Sequence, residues 1–175
     1  MGSFEKGIDY IGDLGLLKEN LEIHAEIART LGPYKLSLHS GSDKFSVYPL
    51  VAQATHGLVH LKIAGTSYLE ALRVVAIKDT DVFKEILRLS LERFEVDRHS
   101  YHLSCNTSNI PKELHDNDLV RLLDQRDARQ VLHVTFGSVL ETFKPDIVRT
   151  LTTYHELYYD TLATHFEKHL KPFVH

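Results

Sequence analysis

Short apolar segments of strand length alternate along this chain with longer segments of helical periodicity, and that rhythm limits the folds open to it. Leu16–Leu31 carries Leu17, Leu21, His24, Ala25 and Ala28 at helical spacing and stops at Gly32-Pro33. Lys35–His39 (KLSLH) reads as a strand, Phe45–Thr55 as a helix closed by Gly57, and Leu58–Ala64 (LVHLKIA) as a second strand. Helices are expected at Tyr68–Ala76 and Thr80–Phe94, separated by an Asp79-Thr80 cap. Ser100–Cys105 and Val131–Phe136 (VLHVTF) read as third and fourth strands, Leu119–Leu123 as a short helix and Ile147–Leu170 as one long final helix.

Alternation with linkers of a few residues argues for parallel strands joined by helical crossovers. The expected fold class is therefore α/β. The specific expectation is the C-terminal half of a (β/α)8 barrel, with about four parallel strands alternating with helices in a single partial barrel domain spanning 1–175. An open α/β sheet is the alternative. Polar clusters favour the barrel: HSGSDK at 39–44, Lys62 with Thr66-Ser67, Asn106-Thr107-Ser108 and Thr135 with Gly137-Ser138 all lie at or just after predicted strand ends. A (β/α) barrel keeps its active site there, although an open sheet also binds ligands at that edge. The N-terminal MGSFEKGIDYIGDLG reads as a strand end and loop leading into a helix, as the start of a dissected barrel would.

Composition removes several function classes. Twenty Lys and Arg against twenty-four Asp and Glu give a net charge of −4, without a block of like charge that would mark a nucleic-acid or membrane face. No run approaches the roughly 20 apolar residues of a membrane span. The single cysteine, Cys105, excludes an intramolecular disulfide, fits a reducing compartment and reads as a small buried residue. These features give the expectation of a cytoplasmic protein. No GxGxxG or Walker pattern marks a nucleotide site.

Histidine is over-represented, at 12 of 175 residues. His165, His169 and His175 fall in a polar C-terminal helix or tail and read as surface residues. His24 reads as packing, and His102 and His133 as buried structural residues. His39 ends a strand, where its imidazole would enter a barrel mouth as metal ligand or acid/base. Ser40, Ser42, Asp43 and Lys44 follow and would meet a sugar hydroxyl or carboxylate. The competing reading is a capped helix start with Ser42 or Asp43 as N-cap. His60 and Lys62 share one strand face, which either lines the barrel or faces outward. Two histidines from adjacent strands can share a divalent ion, but a catalytic metal normally takes about three protein ligands. Glu5, on the presumed rim, is a candidate acid/base.

The segments KLSLHSGSDKFSVYPL and GLVHLKIAGTSYLEALRVVA resemble the tagaturonate epimerase family, as do FEKGIDYIGDL, DARQVLHVTFGSVL and the Tyr-Tyr-containing final helix. The resemblance implies a divalent-metal-dependent (β/α) barrel enzyme interconverting D-tagaturonate and D-fructuronate in hexuronate breakdown. It implies His39 and His60 as metal ligands, with Ser40, Ser42, Asp43, Lys44 and Lys62 near a small sugar-acid substrate. Family members are longer, so a further ligand and acid/base residue are expected upstream. The inverted carbon lies beta to the ketone, which favours retro-aldol cleavage and reclosure over enolisation. Transient oxidation would need a nicotinamide, for which the sequence has no motif. Two other functions stay open: a metal-dependent sugar isomerase or aldolase, and a non-catalytic half-barrel. The latter would bind a sugar acid or form a homo-oligomer through exposed edges.

Overall fold

A computed structural model describes residues 4–32, 34–39 and 43–174, without the side chains of His39 and Ala64. The described residues form eight α-helices and two strands, in the order α1 (Leu14–Leu31), β1 (Leu36–His39), α2 (Tyr48–Thr55), β2 (Val59–Lys62), α3 (Ala64–Lys78), α4 (Thr80–Asp97), α5 (Leu119–Leu122), α6 (Arg126–Val134), α7 (Phe136–Thr153) and α8 (His155–Leu170).

α1 begins where Asp13 accepts a hydrogen bond from the Leu16 amide, and it buries Leu17, Leu21, Ala25 and Ala28 on one stripe. That stripe packs with Val47, Val51 and Ala54 and with the apolar side of the strands. β1 and β2 pair in parallel, Leu36 with Val59 and His39 with Lys62. Side chains alternate along a strand, so this register places Ser37, His60 and Lys62 on one side. Leu36, Leu38, Val59 and Leu61 take the other. α2 is the crossover between the strands. A second apolar cluster joins α3, α4, α6 and α7 around Leu72, Phe83, Ile86, Leu132 and Val139, all buried.

The half-barrel expectation is overturned, because only two strands form among the described residues. VLHVTF is not a strand: Val131–Val134 belong to α6, which buries Ala128, Gln130, Val131 and Leu132 between helices. The helical period is carried by Ala128, Val131 and Leu132, with Arg126 and Asp127 ahead of them and Arg129 and Gln130 between, so it begins upstream of VLHVTF, and the β-branched residues of that short segment alone mimic a strand. Ser100 closes a 3-10 turn and Tyr101 is extended, but residues 101–105 join neither described strand. Side chains take amide donors here instead: Ser104 N–H donates to Glu5, and Asn106 N–H, just past the segment, to Asp127. The long final helix is two helices, broken at Tyr154, whose φ of −114° and ψ of 42° leave the helical region. No described helix is long and apolar enough to cross a membrane.

Candidate metal centre

α8 carries His165 and His169 one turn apart, so both rings leave the same face. That face meets Asp43, just before the turn leading into α2. The three side chains are buried, and one potential ligand atom from each lies within 4.8 Å of the others. His165 and His169 stack obliquely with ring centroids 4.4 Å apart. Phe45 and Tyr48 close over His169 at 4.9 and 5.5 Å.

Hydrogen bonding assigns the His169 tautomer. Its Nδ1 lies 2.8 Å from the His165 carbonyl oxygen, which only accepts, so Nδ1 carries a proton. Nε2 then faces Asp43 Oδ1 at 3.2 Å. Neither atom has a hydrogen bond of normal geometry, and both are buried. In a neutral ring these are two lone pairs pointed at each other. The contact is stable only with a second proton on the ring or a cation held between the two atoms.

Asp43 is held from the other side by Arg129, whose Nη2 donates to Oδ2 at 2.8 Å. Arg129 also donates to the carbonyls of Gly7 at 2.8 Å and Leu123 at 2.6 Å. Gly7 needs its positive φ of 78°, and a Cβ there would meet the Arg129 carbonyl oxygen at 3.0 Å, so the N-terminal loop lies directly on α6. Burial raises the Asp43 carboxyl's pKa, but His169, Arg129 and His165 outweigh it and keep it below the ordinary value. Burial pushes His165 downward, opposed only in part by Asp43 and Glu70, so the ring is neutral at pH 7. Its Nε2 is 2.9 Å from Thr66 Oγ1 and its Nδ1 3.8 Å from Glu70 Oε1. One carboxylate and two imidazoles suit zinc or a similar divalent ion.

Asp43 and His165 open onto a cleft of about 790 Å³, whose walls include Asp9, Arg73, Arg126 and Lys168. Arg73 is shared between Glu70 at 2.9 Å and Asp124 at 2.8 Å. Among the described residues Arg126 and Lys168 form no ion pair, while Asp9, Asp124 and Asp160 line the same cleft.

The residues expected from sequence divide between this centre and the sheet. Asp43 joins the centre. Lys44 is fully buried; its Nζ donates to the Glu5 carbonyl at 2.9 Å and to the Ile8 carbonyl, and burial pushes its pKa down to about 8. His60 and Lys62 lie on the exposed polar side of the sheet, with His60 Nδ1 2.7 Å from Ser37 Oγ. His39 pairs with Lys62 in the register. Ser40 and Ser42 lie outside the described residues. The Glu5 carboxylate accepts from Ser104 N–H at 2.9 Å, Ser104 Oγ at 2.7 Å and Gln130 Nε2 at 2.8 Å. Burial raises its pKa, but these donors and Arg126 prevail and lower it.

His165 and His169 are not surface residues, a correction to the sequence reading. Their H-x-x-x-H spacing places two ligands on one helix face and was the available signal.

The sequence profile of the tagaturonate epimerase family matches residues 1–173. The chain belongs to the tagaturonate epimerase family. It is 49% identical over 174 residues to the tagaturonate/fructuronate epimerase of Thermotoga maritima, covering 97% of this chain and 36% of that protein. The native crystal structure of the fructuronate-tagaturonate epimerase from Cohnella laeviribosi superposes with a TM-score of 0.95 at 41% identity, covering 99% of this chain and 37% of that one. A glycerol complex of the same enzyme gives a TM-score of 0.95 at 40% identity. The chain thus spans little more than a third of these tagaturonate epimerase relatives.

Proposed function

We propose that this chain supplies part of the active centre of an enzyme interconverting D-tagaturonate and D-fructuronate, with a divalent cation held by Asp43, His165 and His169. The observation that carries the cation is the buried 3.2 Å approach of Asp43 Oδ1 to His169 Nε2, with Nδ1 already committed to a carbonyl. When bound, the cation would supply Lewis acidity toward the sugar acid's oxygens. The chain's own contribution is binding and proton handling. Arg126 and Lys168 on the cleft wall are the groups that would meet the substrate carboxylate, and Phe45 and Tyr48 exclude water from the ligand cluster. Glu5, held ionised by its donors, enters this reading as a base.

A second placement of the cation is at the sheet, where the register pairs His39 with Lys62, two residues after His60. There Lys62 would face the sugar carboxylate, with Ser40 and Ser42 following β1 and Lys44 next to Asp43. Self-association is a competing role, and it is favoured by the exposed Leu16, Ile23, Ile27 and Leu31 along the outer side of α1.

The test is incubation of the purified chain with D-tagaturonate and Zn²⁺ or Mn²⁺, followed by NMR. The expected result is conversion to D-fructuronate that stops when a chelator is added. Folded protein that gives no product and sediments as a dimer irrespective of cation would favour self-association.

A further inference from the structure

The cation reading requires His165 to turn Nε2 toward Asp43 and His169, and something must hold it so. α3 presents two side chains one turn apart to the two nitrogens of this ring, Thr66 to Nε2 and Glu70 to Nδ1. Both are buried. We infer that Glu70 is a positioning residue for His165: its carboxylate keeps the ring proton on Nδ1, so that the Nε2 lone pair faces Asp43 and His169. This inference rests on the cation reading of the cluster.

Two carboxylates compete for the ring proton at nearly equal range. Glu70 Oε1 is 3.8 Å from Nδ1, and Asp43 Oδ1 is 3.9 Å from Nε2. Their neutralisation decides between them. Arg129 serves Asp43 alone among carboxylates, at 2.8 Å. Arg73 is divided between Glu70 and Asp124, at 2.9 and 2.8 Å. One guanidinium against two carboxylates leaves net negative charge on the Glu70 side, which draws the proton to Nδ1.

Thr66 accommodates both states. Its hydroxyl has two acceptors in reach, the Ile63 carbonyl at 2.9 Å and His165 Nε2 at 2.9 Å. Without a cation it donates to Nε2. When Nε2 becomes a ligand, the hydroxyl turns to the Ile63 carbonyl, and no buried polar group is stranded. A carboxylate behind a ligating histidine is a recurrent means of fixing its tautomer and orientation.

The test begins on cation-free protein labelled with ¹⁵N, where two-bond couplings report the tautomer of each histidine and a His165→Gln sample assigns the ring. The wild-type chain should show the proton of His165 on Nδ1. Glu70→Ala should move it to Nε2, where Thr66 becomes the acceptor. Titration with Zn²⁺ alone should then show affinity lowered about 10–100-fold in Glu70→Ala. Glu70→Gln preserves volume and an oxygen facing Nδ1, and should restore part of it. The Gln variant also keeps the test valid if Glu70→Ala does not fold. A wild-type proton on Nε2, or the same tautomer and affinity in wild type and both variants, would overturn the role of Glu70. Zn²⁺ binding unaffected by His165→Gln would instead overturn the cation reading, and with it the inference, whatever the tautomer.

Discussion

Replacing Asp43 with alanine is expected to destabilise the chain by about 3–5 kcal/mol, because removing one member of a buried ion pair strands the other. The stranded group is Arg129, whose Nη2 loses its 2.8 Å partner while its other nitrogens stay fixed on the carbonyls of Gly7 and Leu123. The guanidinium cannot follow the lost charge without releasing the N-terminal loop from α6. His169 Nε2 loses the carboxylate 3.2 Å away as well. The effect carries a pH signature. The folded carboxyl's pKa is depressed, so its stabilisation is full above the unfolded value near 3.8 and is lost as pH falls through the lower folded value. Urea unfolding of wild type and Asp43→Ala at pH 7 measures the loss. A midpoint unchanged by the substitution would show that water, rather than Asp43, satisfies Arg129.

Acidification should weaken the fold well above the carboxylate range, through His133. Burial, with Lys6, Arg129 and Lys44 nearby, lowers its pKa from 6.5 to about 4. Its Nδ1 is buried without a hydrogen-bond partner, so the fold accepts the neutral ring only. The unfolded chain takes up a proton as pH drops below 6.5, whereas the folded chain resists until about 4. Stability is therefore complete above the unfolded value and declines across that window, by about 3 kcal/mol at roughly 1.4 kcal/mol per pKa unit. His165 shifts in the same direction and adds to the slope. Unfolding free energies at pH 7 and pH 4.5 should differ much less in His133→Leu than in wild type. An equal loss in both would remove His133 as the cause.

Local signals made the N-terminal half readable. α1, β1, α2 and β2 each bury one side, so period 3.6 or period 2 survives in the sequence. The same alternation placed His60 and Lys62 on one strand side, and the register adds Ser37 to it. The C-terminal half lost that contrast. α6 starts at Arg126, and its helical spacing of Ala128, Val131 and Leu132 straddles the boundary of VLHVTF, whose alternating Val131, His133 and Thr135 read as a strand when taken alone. The final helix was expected from Ile147, yet α7 begins at Phe136 and runs through Pro145. The candidate centre was legible in part: HSGSDK pointed to Asp43, and composition pointed to histidine. Its other members come from α8, more than a hundred residues away, and no local pattern specifies that pairing. In a polar helix, His165 and His169 are distinguished from surface residues only by their spacing of four.

Calorimetric titration of Zn²⁺ into wild-type chain and His169→Ala decides whether the cluster is a metal centre. Wild type should bind one ion per chain, and His169→Ala should lose that binding, because Asp43 and His165 alone leave the site with two ligands. No binding by the wild-type chain, or binding retained in His169→Ala and abolished in His60→Ala, would contradict the assignment. The second outcome would move the cation to the polar side of the sheet.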